Sequence, residues 1–243
     1  MNKFKNIKNF IFDCDGVLYQ DLDAVFGQVS KRMTKYISEK LNLDLKKAKE
    51  LQTNYFHKYN TSLNGLMIHH KVKPEEFLEY VHDINLDFME KDLVLREELI
   101  KLDARKFVFT NGSNDHVKNI IKHVGIADLF DGIFDIKDCN LIPKPSLKPY
   151  EKLVKKFGII PEETIFIEDI AKNLEPAKKL GMKTVWLIND EYWGKKDSDK
   201  DFIDLKIKNL SSFLKEINIL KVVKSLRTIL KKQLMMLGKL RIK

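Results

Sequence analysis

Asn9-Phe10-Ile11-Phe12-Asp13-Cys14-Asp15-Gly16-Val17 is the stretch whose reading decides the fold. With Ile7, its front half is a short apolar, β-favouring run and predicts a buried strand over residues 7–12. The run stops at two acids separated by one cysteine. Acids two apart on an extended segment point to opposite faces. A turn beginning at Cys14 is therefore required if both are to meet one ligand, and Gly16 permits that turn.

Working outward, the pattern changes between Asp21 and Asp103. Val25, Val29, Met33, Tyr36, Ile37 and Leu41 recur at helical spacing, and so do Leu93, Leu95, Leu99 and Leu102. Lys73-Pro74-Glu75-Glu76 reads as a helix start, with proline and acids in the first turn. The stretch predicts an all-helical insert. Strand and helix then alternate: strand 106–110, helix 113–124 stopped by Gly125, strand 132–134, helix 146–157 ended by Gly158, strand 164–167, helix 171–180 ended by Gly181, strand 183–187. Residues 189–201 read as a loop, 204–207 as a last edge strand and 211–217 as a closing helix. That rhythm implies a parallel α/β sheet covered on both faces, with ligands beyond the carboxyl ends of its strands.

Composition sets bounds on partners. The 243 residues carry 44 Lys plus Arg against 35 Asp plus Glu, a formal charge of +9. Eight of the basic residues and none of the acids fall in 219–243, leaving 36 basic against 35 acidic side chains in 1–218. A nearly neutral body does not suggest a nucleic-acid-binding core. Cys14 and Cys139 alone make neither a disulfide framework nor a cysteine-based zinc site. The apolar run at Phe10–Phe12 is too short for a signal peptide, and no stretch approaches a membrane span. A cytoplasmic location is the expectation.

The strand ends carry the chemistry: Asp13-Cys14-Asp15, then Thr110-Asn111-Gly112, then a Pro143-Lys144-Pro145 loop, then Glu168-Asp169 with Asn173 four residues on. One sheet edge would gather up to four carboxylates, a hydroxyl and a lysine, a set suited to phosphoryl transfer. One carboxylate can attack phosphorus, a second can move protons, others can hold a hard cation such as Mg²⁺, and hydroxyl, amide and ammonium groups can neutralise the remaining oxygens.

On these residues the sequence resembles the haloacid dehalogenase (HAD) superfamily of phosphohydrolases. Asp13-Cys14-Asp15-Gly16-Val17 matches its first motif, Thr110 the second, Lys144 the third and Glu168-Asp169 the fourth, in family order and at family spacing. The resemblance runs from about Lys8 to Leu187. It implies a Rossmann-like core (1–20 and 104–217) with an α-helical type 1 cap (21–103). Residues 12–19, 55–67 (Tyr55-Phe56-His57-Lys58-Tyr59-Asn60-Thr61-Ser62-Leu63-Asn64-Gly65-Leu66-Met67) and 81–84 resemble the pyrimidine 5′-nucleotidase branch. Here Asn60 and Ser62 stand where that branch has glycine and threonine, and Gly16 and Val17 where it has asparagine and threonine.

The resemblance assigns roles. Asp13 is the expected nucleophile and a Mg²⁺ ligand; Asp15 is the expected general acid/base, with its backbone carbonyl on the metal. Asp169 is a further expected ligand, and Glu168 one directly or through water. Thr110, Asn111 and Lys144 are expected to bind phosphate, and Asn173 to support the site from behind. Tyr59, Asn64 and His82 are candidates for the nucleobase side of the cleft. Cys14 reads as a small buried spacer, and the six histidines show no metal-ligand spacing. The leading expectation is a Mg²⁺-dependent nucleoside 5′-monophosphate phosphatase. Its alternatives are a phosphatase for a sugar phosphate or phosphoglycolate, a β-phosphoglucomutase-like transferase, and an idle adaptor using the basic tail.

Beyond Ile217 the resemblance ends. Leu220, Val223, Leu226, Leu230, Leu234 and Leu237 follow helical spacing, with lysines on the other side. This basic amphipathic segment, 218–243, is expected to dock on the body or self-associate, or else to touch an anionic membrane surface.

Overall fold

The computed structural model describes residues 4, 6–19, 21–220 and 222–223. Most of the basic tail lies outside them, so the expectations for its docking do too. Strand β1 (Asn9–Phe12) lies at the centre of a six-stranded sheet with β2 (Arg105–Phe109), β3 (Gly132–Phe134), β4 (Thr164–Glu168), β5 (Lys183–Leu187) and β6 (Leu205–Ile207). The order is β3-β2-β1-β4-β5-β6, and every pairing is parallel. β1 pairs with β2 on one side and β4 on the other, so the order reverses beside it, where doubly wound sheets bind ligands.

Side-chain alternation distributes the strands between two apolar layers. Phe10 and Phe12 of β1, Val108 of β2 and Ile165 and Ile167 of β4 face one layer. Ile11, Phe107, Phe109 and Phe166 face the other. The first layer is completed by α5 (Leu93–Lys101), α6 (Asn114–Val124) and the helical residues 210–220; the second by α7 (Leu147–Phe157) and α8 (Leu174–Lys179). Ser113 caps α6 by accepting from the His116 N–H, and Gly125 ends it in the left-handed conformation (φ +81°), where a side chain would be strained.

The insert folds as α1 (Leu22–Leu41), α2 (Leu45–Tyr59), α3 (Ser62–His70) and α4 (Pro74–His82), packed around Val29, Ile37, Leu66 and Phe77. α5 differs from the expectation. Its Leu95 and Leu99, with Leu102 beyond it, pack with Phe10 and Ile120 on the sheet instead of in the cap. The helix expected over 171–180 is broken: a 3₁₀ turn at Ala171–Asn173 leads into α8. Pro176 has no N–H to give the Lys172 carbonyl, so a continuous α-helix from Ala171 would lack that bond. The loop over 189–201 holds one short helix, α9 (Tyr192–Lys195).

Candidate active site

The turn after β1 forms as its glycine requires. Val17 and Leu18 donate to the Cys14 carbonyl, and Gly16 takes φ +75°. A Cβ on Gly16 would lie 2.5 Å from Asp169 Oδ2, so only glycine lets the turn approach the end of β4 this closely. The turn brings Asp13 and Asp15 to the same cleft, together with Thr110, Asn111, Lys144, Asp169 and Asn173.

Lys144 is the electrostatic centre. It is buried, and its Nζ donates to Glu168 Oε2 at 2.7 Å, to the Phe109 carbonyl at 2.9 Å and to Asp13 Oδ1 at 2.9 Å. Burial alone would lower its affinity for a proton, but Asp13 and Glu168 more than offset that and hold it charged. Asn111 fixes the Lys144 backbone from both sides: Oδ1 accepts from its N–H at 2.8 Å, and Nδ2 donates to its carbonyl at 3.4 Å. The Asn111 side chain therefore holds the lysine loop, and any contact with phosphate falls to its backbone. Thr110 is buried, and its Oγ1 accepts from the Gly112 N–H at 2.9 Å, which leaves the hydroxyl proton to donate.

Asp13, Glu168 and Asp169 each place a carboxylate oxygen within 4.8 Å of the others. Three buried carboxylates against one ammonium leave net negative charge in a poorly solvated place. Burial, then repulsion from Asp13, pushes Asp169 up to about 7, and burial with the same repulsion raises Glu168. A site that resists its own ionisation and offers only oxygen fits a hard divalent cation. Glu168 is the member turned inward. One of its oxygens takes Lys144 and the other accepts from the Ile170 N–H. Asp169 stays on the cleft wall, with Oδ2 accepting from Asn189 at 2.7 Å. Asn173 is buried on that wall, and its Oδ1 has no partner among the described residues.

Asp15 stands outside that trio. Its Oδ1 takes Tyr19 OH at 2.7 Å and His116 Nε2 at 2.8 Å. Burial would raise this carboxyl, but the His116 charge and the hydrogen bonds from His116 and Tyr19 outweigh it and bring it down to about 2. Cys14 is fully buried, and burial with the flanking Asp15 and Asp13 charges pushes its thiol well up, so it packs and does not attack.

The cap candidates separate. His82 lines the cleft, but at the end where Asp15 and Thr110 lie, against His116. Tyr59 and Asn64 are not on the cleft wall. Tyr59 OH bonds His69, and Asn64 Nδ2 donates to the Tyr59 carbonyl, so both serve the α2–α3 corner. The wall is made instead by Phe26, Met33, Phe56, Leu63 and Trp193. Sequence reasoning missed Tyr19, His116, Phe56 and Trp193. Tyr19 and His116 had a usable signal: one falls four residues after Asp15, the other in the first turn of the helix that starts over the end of β2. Phe56 and Trp193 had none, since their meeting at 6.0 Å joins cap to core across 137 residues.

A family model described as haloacid dehalogenase-like hydrolase matches residues 7–181. The protein belongs to that family. As in the expectation, the HAD core is a Rossmann-like parallel sheet with a helical insert. Among curated relatives, phosphate metabolism protein 8 of Saccharomyces cerevisiae is 30% identical over 204 residues, 76% of this chain and 63% of that one. The chain thus spans less than two thirds of that relative. Glyceraldehyde 3-phosphate phosphatase of Methanocaldococcus jannaschii is 27% identical over 237 residues, 88% of this chain and 99% of that one. Among solved structures, an HAD phosphatase from Thermococcus onnurineus superposes with a TM-score of 0.58 at 20% identity, covering 88% of this chain and 97% of that one. CbbY from Rhodobacter sphaeroides, in complex with xylulose-(1,5)bisphosphate, does so with a TM-score of 0.59 at 18% identity, covering 84% and 94%. Both structural likenesses speak for the HAD fold. No helix among the described residues is long and apolar enough to cross a membrane.

Proposed function

We propose that this HAD hydrolase is a Mg²⁺-dependent phosphomonoesterase acting through an aspartyl-phosphate on Asp13, with a pyrimidine nucleoside 5′-monophosphate as its substrate. The observation that carries the chemistry is the meeting of Asp13, Asp15, Thr110 and Lys144 in one cleft beneath the cap. An Asp13 oxygen attacks phosphorus, and the leaving alkoxide takes a proton from Asp15. Asp15 then takes a proton from water, whose oxygen attacks the same phosphorus and releases Asp13 and inorganic phosphate. The free protein holds Asp15 as the anion, so the proton it donates is acquired as the phosphate's negative charge enters the cleft. Thr110 Oγ1 donates to a phosphoryl oxygen, and Lys144 keeps Asp13 oriented while balancing charge. Asp13, Asp169 and the Asp15 carbonyl are the groups to hold the cation, with Glu168 behind them. When bound, the ion supplies the positive charge that lets a carboxylate approach a phosphate.

The cleft supports the choice of substrate class. Its volume is about 270 Å³, just below the roughly 300–1,000 Å³ usual for small-molecule sites. That space suits a one-ring base better than a two-ring one, and the walls of Phe26, Met33, Phe56 and Trp193 are apolar faces for a flat ring. Phosphate release from uridine, cytidine and thymidine monophosphates is expected to exceed release from purine monophosphates about tenfold in kcat/KM, the scale of one well-fitted apolar contact. Sugar phosphates and phosphoglycolate should trail further. A flat or sugar-led profile overturns the nucleotide reading and favours the second one, a small sugar phosphate, which the Methanocaldococcus relative's name suggests.

Chelation should stop hydrolysis, and added Mg²⁺ should restore it. The cation should also stabilise the fold, by about 2.7 kcal/mol at a hundredfold excess over its Kd, or roughly 5–10 °C in Tm for a chain of this size. The sign of the pH effect follows from Asp169. Its folded value, about 7, lies above its ordinary one, so this carboxyl's contribution to the stability of the metal-free protein falls as pH rises between those two values. The Mg²⁺-induced rise in Tm should therefore be larger at pH 8 than at pH 5.5. A shift that is the same at both, or absent, would remove Asp169 from the cation site.

A further inference from the structure

We propose that His116 is the positioning residue of the acid/base group, and that the cap reaches Asp15 through it by way of His82. The inference rests on the reading of Asp15 as general acid/base. His116 is 1% exposed, in the first turn of α6. Its Nε2 and the Tyr19 hydroxyl both meet Asp15 Oδ1. Two donors on one oxygen hold that edge of the carboxylate, and among the described residues no hydrogen bond engages Oδ2. Asp15 reaches the cleft, so Oδ2 is the oxygen left to exchange a proton with substrate or water.

The imidazole itself is held oddly. Its Nδ1 is buried with no partner among the described residues, so Asp15 is its one polar anchor among them. What fixes the ring's plane is His82 of the cap, stacked on it with centroids 4.3 Å apart and planes 17° apart. His82 is fixed to the core in turn: its Nδ1 lies 2.9 Å from the hydroxyl of Ser113, the residue that caps α6 and accepts from the His116 N–H. A cap residue thus sits on the core helix's N-cap and on the face of the ring that orients Asp15. With the cap seated, His116 has one orientation; with His82 withdrawn, one hydrogen bond is left to hold it. The placement of the proton-transfer group thereby depends on cap seating.

The test compares two leaving groups in the full-length protein with Mg²⁺. p-Nitrophenolate departs without a proton, whereas the alkoxide of an alkyl phosphomonoester needs one. kcat/KM isolates the first chemical step. Asp15→Asn is the reference and should depress the alkyl ester far more than the aryl ester. His116→Ala should show the same split, with the alkyl ester down about 100-fold, the usual cost of a small misplacement, and the aryl ester down severalfold at most. His116→Gln, whose Nε2 can reach Asp15 Oδ1, should recover most of the loss. His82→Ala, which changes a cap residue and no core side chain, should show a weaker split in the same direction. Equal losses on both esters, or no loss, in His116→Ala and His82→Ala while Asp15→Asn splits them would overturn the positioning role and leave the acid/base reading standing. No split in Asp15→Asn itself would sink that reading and this inference with it. If His116→Ala does not fold, His116→Gln and His82→Ala decide alone: an absence of any leaving-group split in His82→Ala counts against the proposal.

Discussion

Asp13→Asn is expected to abolish phosphate release, by about 10⁴-fold or more, the scale on which loss of a covalent nucleophile acts, without lowering Tm. The two halves of that result have separate causes. Asparagine keeps the shape of the side chain, and its oxygen can still accept from Lys144, so the position stays filled. It also removes one of three carboxylates whose oxygens lie within 4.8 Å of one another. The repulsion from Asp13 that helps to raise both Glu168 and Asp169 disappears. The metal-free variant should therefore be no less stable than the parent, and Asp169 should ionise more readily. The nucleophile is missing, since a neutral amide does not displace an alkoxide from phosphorus, and the cation loses one of its carboxylate ligands with it. Phosphate release and thermal unfolding, measured on one preparation, check both halves. Undiminished hydrolysis would move the nucleophile elsewhere, and a large fall in Tm would mean that the Asp13 charge supports the fold.

The legibility of this site in the sequence follows the range of the forces that build it. β1 and the turn after it are local. An apolar run, two acids and a glycine are enough to place Asp13 and Asp15, and the close approach of Gly16 to Asp169 explains why no other residue serves. The strand ends are legible for the same reason, because a parallel sheet gathers whatever follows its strands. The cap was legible as helices and not as a surface. A stripe of apolar residues says that one face of α5 is buried but not against what, and α5 packs on the sheet through Leu95 and Leu99. Tyr59 and Asn64 failed as cleft candidates because the left-handed residue Asn60 (φ +66°) turns the chain between α2 and α3, so that Asn60, Thr61 and Ser62 face the cleft instead. His116 was only half legible: its place in the first turn of α6 points it to the sheet edge, but Asp15 lies 101 residues away and nothing local names that carboxylate as its partner.

Lys144→Met should be the most damaging single change to stability at the site, and the reason is what it leaves behind. Methionine fills much of the lysine stem's volume, so packing against Phe109 and Phe166, over whose rings the ammonium sits at 5.0 and 5.6 Å, is largely kept. The charge is not. Glu168 is fully buried and would lose its ammonium partner at 2.7 Å, and Asp13 would lose its partner at 2.9 Å. Breaking a buried pair from one side typically costs about 3–5 kcal/mol, or roughly 6–20 °C in Tm for a protein of this length. Hydrolysis should vanish as well, because Asp13 loses its orienting donor and the phosphate its nearest cation. A second substitution separates the two effects. Glu168→Gln added to Lys144→Met removes one of the two stranded charges, so Tm should recover by several degrees while activity stays absent. If the double variant is as unstable as the single one, the cost lies in packing and not in the uncompensated carboxylate. If instead Lys144→Met alone turns over substrate at near the parent rate, the lysine is a structural counterion for Glu168 and takes no part in the chemistry at Asp13.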